Sequence, residues 1–223
     1  MQLAHKYSMG DLLARAPVIP VLTIARIEDA VPLARALMAG GLGVLEVTLR
    51  TPVALEAIVR IKAELPDVIA GAGTLSTPAD MAAASKAGAD FLVSPGATRA
   101  LIDAARNQPL PFLPGAATAS EAMQLLDDGF KFQKFFPAEA SGGVNALKAL
   151  HAPLAGIVFC PTGGITAGNA LAYLALANVA CVGASWPAPD AMIKNRRWPE
   201  IESAARAAAA LPRAHVHNAR PAT

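Results

Sequence analysis

Lys134 is the residue in this chain best placed to act as a nucleophile. It lies in Phe130-Lys131-Phe132-Gln133-Lys134-Phe135-Phe136-Pro137-Ala138-Glu139, which follows Asp127-Asp128-Gly129 and ends at Pro137. Aromatic residues at nearly every other position, with turn signals on either side, predict a strand. Side chains alternate across a strand, so Lys134 is expected to share a face with Phe130, Phe132 and Phe136. An ammonium buried among rings without a partner is unfavourable. Two readings follow. The lysine is a surface residue whose stem runs along the rings to water, or it is an amine kept neutral by its surroundings so that it can attack a carbonyl.

The stretch Val44-Leu45-Glu46-Val47-Thr48-Leu49-Arg50 offers partners for such an amine. Leu45, Val47 and Leu49 form an apolar face suited to a helix layer, which turns Glu46, Thr48 and Arg50 inward. A glutamate and an arginine inside a sheet layer are costly unless paired or used. They read as a structural ion pair, or as an acid/base at Glu46 with Arg50 clamping a carboxylate or phosphate. Gly71-Ala72-Gly73-Thr74 ends a further strand with small residues and a hydroxyl, while Ser94-Pro95-Gly96 and Pro114-Gly115 end two more. Each of these fits either a close approach of ligand to backbone or a plain rigid turn. Cys160-Pro161-Thr162-Gly163-Gly164-Ile165 and Gly183-Ala184-Ser185 carry glycines at the ends of two late strands. Glycine N–H groups near a helix start can hold a phosphate without a lysine.

The elements that must position these residues alternate regularly. Ser8-Met9-Gly10-Asp11 predicts a capped short helix through Ala16. Strands are expected at 17–24, 44–50, 67–73, 91–95, 111–114, 130–136, 156–160 and 179–183. Helices are expected at 28–39, 52–65, 78–87, 99–106, 119–128, 144–150, 169–177 and 200–211. About eight strand-helix units predict an α/β protein with a parallel sheet, closed as a (β/α)₈ TIM barrel behind the short N-terminal helix. The carboxyl ends of the strands would then carry the site, with a phosphate at the last two loops. An open doubly wound sheet is the other candidate, but the first strand lacks a Gly-x-Gly-x-x-Gly turn. No linker divides residues 1–223, so a single domain is expected, with the barrel over about 17–211 and a loose tail at 212–223.

The chain of 223 residues is 54% hydrophobic and 16% charged with a net charge of +2, which predicts a large core and gives no case for nucleic acid. Lys6, Asp11, Arg15, Pro17 and Pro20 leave no signal-peptide core, and no apolar run approaches the ~20 residues of a membrane span. Cys160 and Cys181 in apolar runs fit a reduced, cytoplasmic protein. His5, His151, His215 and His217 show no ligand spacing, so no metal is expected.

Taken in order and spacing, the Val44–Arg50 stretch, Gly71–Thr74, Ser94–Gly96, Lys134–Glu139 and Pro161–Ile165 resemble the 2-dehydro-3-deoxy-phosphogluconate aldolase family. These are class I aldolases of the Entner–Doudoroff route that also accept 4-hydroxy-2-oxoglutarate, and the likeness runs from about Pro17 to Trp186. The resemblance implies Lys134 as the Schiff-base lysine and Glu46 as the general acid/base. It implies Arg50 and Thr74 at the pyruvate carboxylate, Pro95 and Phe136 in the pocket wall, and Thr162 at the substrate chain. It places Gly163, Gly164, Gly183 and Ser185 at the phosphate, requires no cofactor, and implies a homotrimer. Gly183-Ala184-Ser185-Trp186-Pro187 is a variant of the family's last motif, and Ala116-Ala117 is smaller than usual.

Two rivals share much of this residue set. A phosphosugar isomerase or epimerase would use Glu46 as a base and Lys134 only for its charge, with no adduct that borohydride can trap. A silent phosphate-ligand binding protein would be stabilised by ligand but release no pyruvate. A neutral buried lysine has no purpose in such a binder.

Overall fold

The computed structural model describes residues 7–214. Its first element, α1 (Met9–Ala14), begins at a complete capping box: the Ser8 hydroxyl accepts from the Asp11 N–H at 3.1 Å, and the Asp11 carboxylate accepts from the Ser8 N–H. Met9, Leu12 and Leu13 are buried against Ile19, Val44, Ile69, Phe91, Val93, Leu113, Val158, Cys160, Ala180 and Cys181. This helix therefore packs on the inner faces of the strands. Gly10 lies close to the Phe132 ring, where a Cβ would stand 2.9 Å from Cζ.

The chain then alternates as expected through β1 (Val18–Leu22), α2 (Ala30–Ala39), β2 (Val44–Thr48), α3 (Ala54–Glu64), β3 (Ile69–Gly73), α4 (Pro78–Lys86), β4 (Leu92–Val93) and α5 (Arg99–Arg106). It continues through β5 (Phe112–Leu113), β6 (Gly115–Ala116), α6 (Ala119–Asp127), β7 (Phe132–Phe135), α7 (Gly143–His151) and β8 (Val158–Pro161). It closes with α8 (Ala170–Leu174), β9 (Val182–Ala184), α9 (Asp190–Lys194) and α10 (Trp198–Ala209). Leu45 and Val47 of β2 join Leu33, Leu37, Ile58 and Ile61 of the neighbouring helices in the larger core cluster. Trp186 and Trp198 pack on its margin.

The expectation of one closed eight-stranded (β/α)₈ barrel is corrected by the pairing. All ladders are parallel, but they fall into a curled six-stranded sheet, β5-β4-β3-β2-β1-β9, and a separate three-stranded sheet, β6-β7-β8. The strand expected at 111–114 is cut to β5, and a strand not expected, β6, follows Pro114, which has no N–H for the ladder. Leu92 and Val93 align with Phe112 and Leu113 before it, whereas Lys134 and Phe135 align with Gly115 and Ala116 after it. Between β8 and β9 only isolated bridges form, at Phe159–Val179 and Thr162–Gly183. The short helix α9 is an element the sequence periodicity does not predict. Most of the tail expected at 212–223, together with Lys6, His5, His215 and His217, lies outside the described residues. Among the described residues no helix is long and apolar enough to cross a membrane.

A candidate active site between the two sheets

Lys134 of β7 and Glu46 of β2 come from different sheets and meet. Lys134 Nζ lies 3.0 Å from Glu46 Oε1 and 3.4 Å from Oε2. The residues are 5% and 3% exposed. An ion pair this deep loses several kcal/mol of hydration per ion, so burial by itself gives no reason to keep it. The same amine stands 5.4 Å from the centre of the Phe136 ring. Strand parity accounts for much of this: Phe132 packs with the inner cluster and Gln133 points outward to the Ala122 carbonyl at 2.9 Å. Phe130 departs from the expectation that it shares Lys134's face. It precedes β7, where the alternation begins, and meets Phe112 edge-on on the helix side.

The room for Glu46 comes from β3. A Cβ on Gly73 would stand 2.2 Å from Glu46 Oε1, so this glycine accommodates the carboxylate, a use named by neither the ligand-approach nor the rigid-turn reading. Thr74 follows with a φ of +63°, the left-handed region that non-glycine residues rarely adopt. Its hydroxyl accepts from Arg50 Nε at 3.2 Å. Arg50 itself is exposed at the end of β2. Thr48, on Glu46's face, is spoken for by the Leu22 carbonyl, to which its hydroxyl donates at 2.8 Å. Pro95 packs against the neighbouring strand, because a Cβ on Gly115 would lie 2.3 Å from the Pro95 carbonyl.

A cavity of about 240 Å³ gathers the glycine-bearing ends. Arg50, Phe136, Thr162, Gly163, Gly164, Gly183 and Ser185 all line it. Arg50 links it to Thr74, and Phe136 links it to Lys134. Gly163 and Gly164 have φ values of +99° and +79°. The bridge between Thr162 and Gly183 turns the Gly163 N–H toward the Gly183 carbonyl. Gly183 has a further task, since a Cβ there would come within 2.3 Å of Thr162 Oγ1. Thr23 and Asp190 also line the cavity, and sequence reasoning missed both. Their signals were available only as single polar residues near strand ends. A larger cavity of about 450 Å³ opens beside α5 and α6, and none of the expected site residues lines it.

The two cysteines are free and buried with their sulfurs 3.6 Å apart. The contact with Cys160, and then burial, push the Cys181 thiol well above its ordinary value, which keeps it an unreactive thiol. Among the described residues no three His, Cys, Asp or Glu side chains are grouped to hold a metal ion.

Residues 9–204 match the aldolase family described as KDPG and KHG aldolase. The chain belongs to this family. Its relatives include the 2-dehydro-3-deoxy-phosphogluconate aldolase of Pseudoalteromonas atlantica, 49% identical over 205 residues that span 92% of this chain and 95% of the relative. The KHG/KDPG aldolase of Escherichia coli is 47% identical over 203 residues, 91% of this chain and 95% of its own. Among solved structures, a KDPG aldolase of Legionella pneumophila superposes with a TM-score of 0.90 at 48% identity, covering 92% of this chain and 99% of that one. That enzyme was captured with pyruvate as a covalent carbinolamine. The aldolase expectation drawn from the motifs is thus met at the level of family, although the sheet is not the closed barrel expected with it.

Proposed function

We propose that this aldolase works through an iminium on Lys134, with Glu46 carrying protons. Its substrate is 2-dehydro-3-deoxy-6-phosphogluconate, cleaved to pyruvate and glyceraldehyde 3-phosphate, and it also cleaves 4-hydroxy-2-oxoglutarate to pyruvate and glyoxylate. The buried contact of 3.0 Å between Lys134 and Glu46 carries the reading. At that distance a proton passes directly from ammonium to carboxylate, leaving a lone pair on Nζ and an acid beside it.

The free amine attacks the C2 ketone, and the Glu46 acid protonates the departing hydroxyl, which leaves as water. The resulting iminium is an electron sink. The Glu46 carboxylate then removes the C4 hydroxyl proton, the C3–C4 bond breaks, and its electron pair forms an enamine while the aldehyde departs. Glu46 returns the proton to C3. Water adds to the regenerated iminium, Glu46 takes up the surplus proton, and pyruvate leaves the free amine beside the Glu46 acid.

In this reading Arg50 and Thr74 hold the pyruvate carboxylate and Pro95 and Phe136 wall the pocket. Thr162 meets the substrate chain, and Gly163, Gly164, Gly183 and Ser185 receive the phosphate. Support for the phosphate end comes from two successive glycines at positive φ and the cavity lining they share with Ser185 and Arg50. Residues of both sheets are needed, so the chain acts as one domain. A homotrimer and a reduced, cytoplasmic setting complete the reading; sedimentation giving other than three chains per particle would overturn the assembly. Borohydride added with pyruvate should fix a three-carbon adduct on Lys134, and Lys134→Ala should release no pyruvate from either substrate. An adduct mapped to another lysine would refute the mechanism.

A further inference from the structure

The end of β7 is tied to α8 by a contact the mechanism does not use. Tyr173 donates its phenol proton to Glu139 Oε1. Tyr173 is fully buried, whereas Glu139 remains exposed. Burial, followed by the Glu139 carboxylate, raises the phenol above its ordinary value, so it remains a donor.

Glu139 is also the support on which Gly163 and Gly164 rest. Its N–H donates to the Gly163 carbonyl at 3.1 Å, one step after the Ala138 N–H donates to the Thr162 carbonyl at 2.8 Å. Gly164 lies directly on its side chain, where a Cβ would stand 2.5 Å from Glu139 Cγ. Gly143, at the start of α7, approaches the same pair, with a Cβ position 3.0 Å from the Tyr173 hydroxyl and 3.3 Å from Glu139 Oε1. On the other side Asn169 Nδ2 donates to the Gly164 carbonyl at 3.1 Å, and Asn169 Oδ1 accepts from the Thr166 N–H at 2.7 Å. Two successive glycines at positive φ have wide conformational freedom. Fixing them before ligand arrives removes an ordering cost from binding.

We propose that Glu139 and Tyr173 are positioning residues for the phosphate end of the substrate. Their hydrogen bond holds the Glu139 side chain under Gly164, so that the Gly163–Gly164 loop stands shaped for the phosphate. The inference rests on the phosphate reading of that loop and adds what keeps the loop in shape. The carboxylate acts here as an acceptor and a spacer, which distinguishes it from a charge that would repel the ligand.

The test is steady-state pyruvate release from the phosphorylated six-carbon substrate and the unphosphorylated five-carbon one. Tyr173→Phe and Glu139→Ala should each raise KM for the phosphorylated substrate about tenfold, equivalent to about 1.4 kcal/mol, and leave kcat and the five-carbon KM within about twofold. Glu139→Gln keeps an acceptor and should restore the phosphorylated KM to near that of the unmodified enzyme. A parallel loss on both substrates would mean a merely structural tie, and no change in any variant would mean no role; either overturns the proposal. Inorganic phosphate separates the two layers of argument. If it fails to compete with the phosphorylated substrate in the unmodified enzyme, and Ser185→Ala leaves that KM unchanged, the phosphate reading falls and this proposal with it. If phosphate competes but neither its inhibition constant nor KM moves in Tyr173→Phe and Glu139→Ala, the positioning role alone is wrong. Should Tyr173→Phe not fold, the Glu139 pair of variants decides.

Discussion

A single hydrogen atom at residue 73 sets where the Glu46 carboxylate stands. Gly73 has no Cβ, and one placed there would lie 2.2 Å from Glu46 Oε1 and 2.6 Å from Glu46 Cγ. Gly73→Ala therefore has to push the carboxylate away from Lys134 Nζ, while its backbone remains in a region open to alanine. A shift of about 1 Å in a catalytic group costs roughly 10²-fold in rate, so kcat should fall by about that factor. The cooperative unfolding transition should persist, and borohydride trapping of pyruvate at Lys134 should slow in step with kcat. Unchanged kcat would show that Glu46 does not need this position. Lys134 and Glu46 were legible in the sequence because each sits inside a strand, where parity dictates the face. The Glu139–Tyr173 contact was not legible. It joins a turn after β7 to a five-residue helix, and no periodicity relates residues 34 apart in the chain.

Helix starts are the elements most directly written in the sequence, and α6 shows how one behaves with pH. Thr118 accepts from the Glu121 N–H, and the Glu121 carboxylate accepts from the Ala117 and Thr118 N–H groups at 2.8 and 2.9 Å. The Ala117 N–H, opposed by desolvation and aided by the Thr118 hydroxyl and N–H, holds the Glu121 carboxyl below its ordinary 4.5. A lowered folded value means that the stabilisation is complete above 4.5 and is lost as the pH falls through the folded value. Glu121→Gln keeps the carbonyl acceptor but loses the charge at the helix N-terminus. It should lower stability by about 0.5–1 kcal/mol at pH 7, and the two proteins should converge as the pH falls through the folded value of Glu121. Urea melts across a descending pH series measure this; a gap that does not narrow as the pH falls below 4.5 would assign the effect to something other than the carboxylate. Element ends were harder to read than starts. The expected helix 169–177 shrinks to Ala170–Leu174, and α9 follows Pro189 with too few turns to leave a periodic signature.

At the scale of the whole molecule, alternating strand and helix segments fixed the parallel arrangement but not which strands pair. Pairing depends on details such as the missing N–H of Pro114 and the crowding of Thr162 against Gly183, and neither has a recognisable pattern in one dimension. The result places the site across a boundary: Glu46, Arg50 and Thr74 belong to the six-stranded side, Lys134, Phe136 and Thr162 to the three-stranded side. A ligand bonded to Lys134 and held by Arg50 therefore ties the two sheets together. A ligand at a hundred times its dissociation constant stabilises the native state by about 2.7 kcal/mol, and in a chain of this size each kcal/mol moves Tm by about 2–4 °C. Pyruvate at saturation should thus raise Tm by roughly 5–10 °C, and borohydride should make the shift survive dialysis. Lys134→Ala should lose the shift altogether. Acetate, which offers the carboxylate without the ketone, should reproduce little of it in the unmodified protein. If acetate and pyruvate stabilise equally, the covalent bond across the sheets contributes nothing, and the site reduces to a carboxylate pocket at Arg50.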